Sequence, residues 1–498
     1  MTRRRTALIA LLILLACVGV ALARPGGGQG YSGGGGHGRS GGGGRGGGGD
    51  AGAIFELVYY LFRLIVIYPQ VGVPLVCIVV AFFIYSAYKR NQNKDWDSGP
   101  PVELERAVSL TDLRRVDQDF SQVLFEDFAF RLFSTAHRAR HTPQTLASIA
   151  PYVTEGARQA LATRPPPGER VESVVIGAMR TFRLAIPTAP MDEHGQPGRV
   201  RIGIEFEANT TTQHHTYYSV ESWLFGRDAT RTSKPPGASR GFPCPNCGAP
   251  WQASASGTQV CASCGEVVDN GRFDWAVEQI SLLSMDERPP TLTEEVPERG
   301  TDLPTYRQPD VDRQIQSLCT EDPAFTEVLL QHRLAMIYGE LNKAWAMNDL
   351  RPVRGLMSDG IYDYLVYWTE AYKRQNLRNE LVDMRITHMT LAKVERDRWY
   401  TAITIRIWAT GKDFVVRASD GQHVRGSRHR ERKYSEYWTV IRSTSRKGAP
   451  VTQPACSNCG APLRIGQAGE CEHCGAHVTA GEFDWVLSKI EQDDSYRG

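Results

Sequence analysis

An excess of charge of either sign is missing from this sequence: 57 Lys and Arg face 55 Asp and Glu, a formal net charge of +2 over 498 residues. Dedicated nucleic-acid binders usually carry a strongly basic domain, so this balance argues against that class. Cysteine is scarce outside two clusters. Of the 11, only Cys17, Cys77 and Cys319 stand alone, which suits a reducing compartment for the C-terminal bulk. There is no Gly-rich phosphate loop, no His-Glu-x-x-His motif and no Ser nucleophile elbow. The adjacent His214 and His215 make a poor metal pair, because neighbours on a strand point to opposite faces.

What is present is a repeated text. Cys244-Pro-Asn-Cys247-Gly-Ala-Pro is followed by Cys261-Ala-Ser-Cys264-Gly and then Gly271-Arg-Phe273-Asp274-Trp275. Cys456-Ser-Asn-Cys459-Gly-Ala-Pro leads in the same way to Cys471-Glu-His-Cys474-Gly and Gly481-Glu-Phe483-Asp484-Trp485. So long a period means a duplicated domain rather than a solenoid. In each half two Cys-x-x-Cys pairs supply four thiolates that can converge tetrahedrally on one Zn²⁺, with disulfides or free thiols as the competing readings. Gly248, Gly265, Gly460 and Gly475 come directly after the second Cys of each pair, where a positive φ turns backbone N–H groups toward sulfur. The expectation is two structural zinc ribbons with the eight Cys as ligands and no open catalytic position.

The chain is long enough for two or three domains with real cores. Residues 1–23 read as a secretory signal: Arg3 to Arg5, an apolar run, then Ala21-Leu22-Ala23. Residues 24–53 form a Gly-rich disordered tether. Residues 54–90 are a membrane segment. The part from Ile54 to Ile67 carries Glu56 and Arg63 and lies at the interface, while 70–88 is uncharged and long enough to cross a bilayer. Lys89, Arg90 and Lys94 place the remainder of the chain in the cytoplasm by the positive-inside rule.

A polar linker, 91–110, leads to the first unit at 111–232 and a first ribbon at 241–283. A Pro-rich acidic linker, 284–312, reads as extended and solvated. The second unit spans 313–446 and the second ribbon 454–490. Phe120 to Arg140 is helical, and Val200, Ile202, Ile204 and Phe206 alternate as a half-buried strand. Asp322-Pro323 reads as a helix start, followed by Phe325, Val328, Leu329, Met336, Ile337, Leu341 and Trp345 at near-helical spacing. Ile361 to Tyr372 gives another amphipathic helix, and Ile403, Ile405 and Ile407 a strand. Val220-Glu221-Ser-Trp223 matches Ser435-Glu436-Tyr-Trp438 in register. Each unit is thus helices, then a curved antiparallel sheet, then a ribbon, which is α+β.

Asp322-Pro323-x-Phe325, Ala344-Trp345-x-x-Asn348-Asp349-Leu350, the turn from Leu356 to Tyr362 and Glu436-x-Trp438-x-x-x-Arg442 resemble the Tim-forty-four-like domain family, named for a subunit of the mitochondrial inner-membrane import translocase. The resemblance covers about Asp322 to Arg442 well and Asp119 to Arg227 weakly. It implies a cone-shaped fold similar to nuclear-transport-factor-two-like and cystatin-like proteins. It also implies membrane association, here at the inner membrane of a bacterium, more firmly than a role in protein import.

Asp349, Asp383, His388 and Glu436 are acid–base candidates by residue type only, with Glu436 and Trp438 sharing one strand face. Trp345, Trp368 and Trp438 read as core. Arg425, Arg428, Arg430, Arg432 and Lys433 form a basic loop that is either solvated or in contact with anionic lipid headgroups. The expected function is a membrane-anchored, non-enzymatic binding scaffold with an unidentified protein partner and no nucleic-acid partner. The competing readings are a small-molecule-binding or catalytic cone and, more weakly, a nucleic-acid-binding ribbon.

Overall fold

A computed structural model describes residues 108–236, 242–252, 259–287, 303–462, Thr301 and most of 464–498. The expected signal, tether and membrane segment, and most of the linker at 91–110, lie outside the described residues. Among the described residues no helix is long and apolar enough to cross a membrane.

The first unit begins with α1 (Gln122–Ala139), whose N-cap Ser121 accepts the Leu124 N–H at 3.3 Å. α1 buries Phe125, Ala129, Leu132, Phe133 and Ala136 on one stripe. α2 (Pro143–Ala147) and α3 (Glu155–Ala162) come next. An antiparallel sheet then forms in the order β1 (Val171–Ala185), β2 (Arg199–Thr212), β3 (Thr216–Asp228) and β4 (Ala276–Glu287). Val200, Ile202, Ile204 and Phe206 all point into the core, as their alternation requires. His214 and His215 sit in the β2–β3 turn rather than on a strand, with His215 Nδ1 2.6 Å from Glu287 Oε1.

The second unit has α4 (Val311–Glu321), α5 (Glu327–Ala346) and α6 (Asp359–Arg374). Its sheet runs β5 (Leu377–Arg396), β6 (Tyr400–Arg417), β8 (Arg432–Ser443) and β9 (Val486–Gln492), with the short β7 (His423–Gly426) beside β6. Three register shifts along β5 interrupt its ladder with β6, and such bulges bend a strand around a helix. Trp345, Trp368 and Trp438 are buried in one core with Ile403, Ile405 and Ile407. Each such apolar side chain removed from water contributes about 1.5–3 kcal/mol.

Four expectations differ from the structure. Asp322 does not start a helix: it caps the C-terminus of α4, and α5 starts later, with Thr326 as N-cap accepting the Leu329 N–H at 3.2 Å. The buried face of α5 is accordingly Leu330, Leu334, Ile337, Leu341 and Trp345, and Val328 is exposed. The linker expected at 284–312 is shorter, since β4 extends to Glu287 and α4 begins at Val311. Its C-terminal end is packed rather than solvated: Arg406 on β6 donates to Leu303 O at 2.8 Å and Thr301 O at 3.1 Å, and the Tyr306 N–H donates to Tyr437 at 3.0 Å. This covers the second face of β6, which explains why that strand is buried almost throughout.

The fourth difference concerns the ribbons. The sequence order suggests that each ribbon comes after a finished sheet, with the last apolar residues counted inside it. In the structure each four-Cys segment is inserted between the penultimate and last strands, β3 and β4 in the first unit and β8 and β9 in the second. The two units also pack together. Lys489 on β9 reaches Glu126 on α1 at 2.5 Å, and the Trp399 indole N–H donates to Asp119 O at 3.1 Å.

Candidate metal centres

Each Cys-x-x-Cys pair closes on itself through backbone bonds. Gly248 N–H donates to Cys244 O at 2.9 Å, and Cys244 N–H to Ala249 O at 2.9 Å. Gly460 N–H donates to Cys456 O and Cys456 N–H to Ala461 O, both at 2.8 Å. Gly248, Gly265, Gly460 and Gly475 have φ of 75°, 74°, 73° and 70°, the left-handed turn expected of them. The turns aim the sulfurs inward, so that the ligand atoms of Cys244, Cys247, Cys261 and Cys264 lie within 4.8 Å of one another, as do those of Cys456, Cys459, Cys471 and Cys474.

The distances fit a metal ion. Cys244 Sγ is 3.9 Å from Cys264 Sγ and Cys247 Sγ 3.8 Å from Cys261 Sγ. In the second cluster the corresponding separations are both 4.0 Å. A tetrahedron with bonds of ~2.3 Å to sulfur has edges near ~3.8 Å. These eight cysteines are not in disulfides, which need sulfurs ~2.05 Å apart. Either cluster could therefore hold one metal ion.

Burial pushes the Cys244 and Cys456 thiols up to about 12. Backbone N–H groups of Cys264 and Ser263 hold Cys261 down at about 6, and the Ala476 N–H, with Asn458, does the same for Cys474. Asn246 Nδ2 donates to Cys264 Sγ at 3.5 Å, and Asn458 Nδ2 to Cys474 Sγ at 3.5 Å.

The Gly-x-Phe-Asp-Trp segment joins each cluster to its sheet. Phe273 packs on Cys244 and Cys261, and Phe483 packs on the cluster of Cys456 and Cys471. Two residues on, Trp275 and Trp485 enter the cores of the first and second units. The Asp between them caps the turn: Asp274 Oδ1 accepts the Trp275 N–H at 2.8 Å and Asp484 Oδ1 the Trp485 N–H at 2.7 Å. The leading glycine has no substitute. A Cβ on Gly481 (φ 74°) would lie 2.9 Å from Ile441 O, and one on Gly271 (φ 67°) 2.9 Å from Gly226 O. The last strand then ties back to a helix: Thr154 N–H donates to Val277 O at 3.0 Å, and Ser358 N–H to Leu487 O at 2.8 Å.

Arg333, fully buried on α5, donates to Trp485 O through Nε at 3.0 Å and to Val451 O through Nη1 at 2.8 Å. Periodicity missed this residue, because a charged residue on a buried helix face breaks the pattern used to find the face. The signal that could have found it is that same break.

The acid–base candidates are not brought together. Asp349 pairs with Arg351 at 2.7 Å, Asp383 with Lys412 at 3.2 Å, and His388 Nε2 is 3.0 Å from Thr390 Oγ1. Glu436 is fully buried and accepts the Trp438 indole N–H at 2.9 Å. Its first-unit counterpart Glu221 accepts from Trp223 at 2.9 Å and from Arg164 at 3.2 Å, and lies 3.3 Å from His137 Nε2. Burial pushes the Glu221 carboxyl up, but His137, Arg164 and the Trp223 N–H outweigh it and hold it at about 2. Burial also depresses the His137 imidazole, with Glu221 opposing and Arg140 and Arg164 reinforcing.

The basic loop is only partly a loop. Arg425 belongs to β7, opposite Val415, and Arg432 is buried at the start of β8. Arg428 donates to Gly421 O at 2.8 Å, while Arg428, Arg430 and Lys433 are exposed.

Residues 311–451 match the model of a family described as the Tim44-like domain. The second unit is a Tim44-like domain on that match. No curated protein matches the chain. A solved structure described as an "Ntf2 like protein involved in plasmid conjugation" aligns at 9% identity over 74% of this chain and 96% of that chain, with a TM-score of 0.17.

Proposed function

We propose that this chain, whose second unit is a Tim44-like domain, is a membrane-tethered, non-catalytic binding scaffold. It presents two related α+β units, each closed by a structural zinc site, on the cytoplasmic side of a bacterial inner membrane. The observation that carries this reading is the match over 311–451 to a membrane-associated family. It is supported by the uncharged stretch at 70–88 and the Lys89, Arg90, Lys94 cluster after it.

Zinc is the metal that best suits four thiolates with no open position. A site of that kind supplies folding energy rather than chemistry. Duplication is supported by matched features of the two units: an inserted cluster before the last strand, the Gly-x-Phe-Asp-Trp exit, and a buried Glu accepting from a Trp two residues on. The exposed Arg428, Arg430 and Lys433 offer a second membrane contact, each cation contributing about 1 kcal/mol near an anionic surface.

The test is fractionation of cells expressing the full chain, followed by thiol labelling. The chain is expected in the membrane pellet after high-salt washing and in solution only with detergent. An impermeant thiol reagent is expected to miss Cys456 in intact cells treated with a chelator and to label it after lysis. Recovery in the soluble fraction overturns the anchor. Labelling in intact cells overturns the orientation.

A further inference from the structure

Each cluster has two buried ligands and two that the fold leaves comparatively open. Cys244, Cys261, Cys456 and Cys471 are buried, whereas Cys247, Cys459 and Cys474 are exposed and Cys264 is half-buried. Phe273 and Phe483 pack on the buried pairs. In both clusters the fourth ligand, Cys264 or Cys474, meets the same side chain. The Asn at the third position of the first knuckle reaches across and donates its amide to the fourth sulfur: Asn246 to Cys264 and Asn458 to Cys474, each at 3.5 Å.

The two segments differ around this contact. The ligand pairs are separated by stretches of different length, and Pro245 stands where the second cluster has Ser457. The Asn and its acceptor persist. An exposed amide has no burial requirement that would force one rotamer in both places, so the contact itself is the simplest cause of the shared geometry.

We infer that Asn246 and Asn458 are positioning residues of the metal centres, holding the Cys264 and Cys474 sulfurs in ligand geometry and retarding loss of the ion from its open side. This rests on the zinc assignment proposed for the two clusters. The chemistry is that of an outer-shell hydrogen bond. An amide N–H aimed at a thiolate stabilises its charge, fixes its rotamer and competes with water for the lone pair at which the metal–sulfur bond would be hydrolysed. Removing such a partner typically costs about 10–100-fold in metal affinity.

The experiment uses the full chain in detergent, loaded with zinc. Release to a chromogenic chelator is followed for the parent, Asn458→Ala, Asn246→Ala and the double variant, with Ser457→Ala as a neighbouring control. Each single variant is expected to release one of its two ions about 10–100-fold faster, the double variant both, and the control neither. In cobalt-substituted protein, the sulfur-to-metal charge-transfer band of the affected site is expected to shift in the Asn variants and not in the control. Release within twofold of the parent together with an unshifted band overturns the inference and leaves the metal sites standing. If the parent itself takes up no metal, the zinc assignment falls instead. If an Asn variant cannot be loaded, far-ultraviolet circular dichroism against the Cys459→Ser variant decides. A fold like the parent's with an empty site supports the positioning role, and a collapse matching Cys459→Ser overturns it as specific to ion retention.

Discussion

The Arg442 guanidinium donates to Asp322 Oδ2 at 3.1 Å while lying 4.7 Å above the Trp485 ring. Three sequence-distant segments meet there: the end of α4, strand β8 and the exit from the second cluster. The first unit repeats it. Arg227 donates to Asp117 at 2.6 Å and lies 4.6 Å from the Trp275 ring. Both carboxylates also accept a backbone N–H from the segment after the third main strand, Ser233 in one unit and Gly448 in the other, each at 2.9 Å. Three of the residues that mark the Tim44-like family resemblance, Asp322, Phe325 and Arg442, are therefore one packed cluster, since Arg442 also lies 5.5 Å from the Phe325 ring.

Breaking this pair leaves a buried charge without its partner. Arg442→Met is expected to destabilise the second unit by about 3–5 kcal/mol in denaturant unfolding, the usual cost of orphaning a buried ion. Asp322→Asn and Arg442→Met together are expected to cost less than the sum of the single changes, because the orphan is gone. Simple additivity would show that the pair is not coupled.

Metal removal is expected to reach the sheets. β4 and β9 start directly after Trp275 and Trp485, so their alignment depends on the ends of the inserted segments being held together. Chelation is expected to speed amide exchange in β9 and β4 well before β2 or β6. Cys459→Ser is expected to mimic this for β9, while Cys319→Ser leaves it unchanged. Elemental analysis of the parent is expected to give two zinc ions per chain, and fewer than one contradicts the assignment.

The His137–Glu221 contact predicts an acid-side weakness. His137 has a folded-state pKa below its unfolded value of about 6.5, so the unfolded chain binds more protons as the pH falls through that value. The first unit's stability is then full above about pH 7 and falls below about 6.5. Glu221, held at about 2 against an unfolded value of about 4.3, contributes stability above that value that is lost as the pH falls toward 2. In thermal scans from pH 7 to 5, His137→Gln is expected to flatten the decline. A slope equal to the parent's would assign it to other groups.

The exposed cations Arg428 and Arg430 of the β7–β8 turn and Lys433 at the start of β8 are expected to bind anionic surfaces. A purified fragment from about Thr301 onward, which keeps the segment packed on Arg406 and Tyr437, is expected to co-sediment with anionic vesicles at low salt and not with neutral ones. Arg428→Ser, Arg430→Ser and Lys433→Ser together are expected to abolish this without lowering thermal stability, as the three are exposed. Sedimentation unchanged by the triple substitution would leave the turn as solvated surface.

Local text settled the elements whose cause is local. Two Cys-x-x-Cys pairs, each with a Gly directly after, determine knuckles that could hold a metal, because the turn needs only neighbouring backbone and a positive φ. The alternation of Ile403, Ile405 and Ile407 and the spacing of Ile361 to Tyr372 likewise determine a strand and a helix, since each buries one face. What the sequence could not decide was where those pieces go. The ribbon text looked like an appended domain because nothing near Trp275 or Trp485 says that the next residues pair with β3 or β8. Strand pairing is chosen by register and by the core that the strand completes, which are properties of distant residues. Asp322 read as a helix cap because Asp before Pro often is one, yet a buried Arg442, 120 residues away, claims the carboxylate instead. Four-thiolate chemistry was legible in the line of residues. The insertion that places each four-Cys cluster directly before the last strand of its sheet was a decision of the tertiary structure alone.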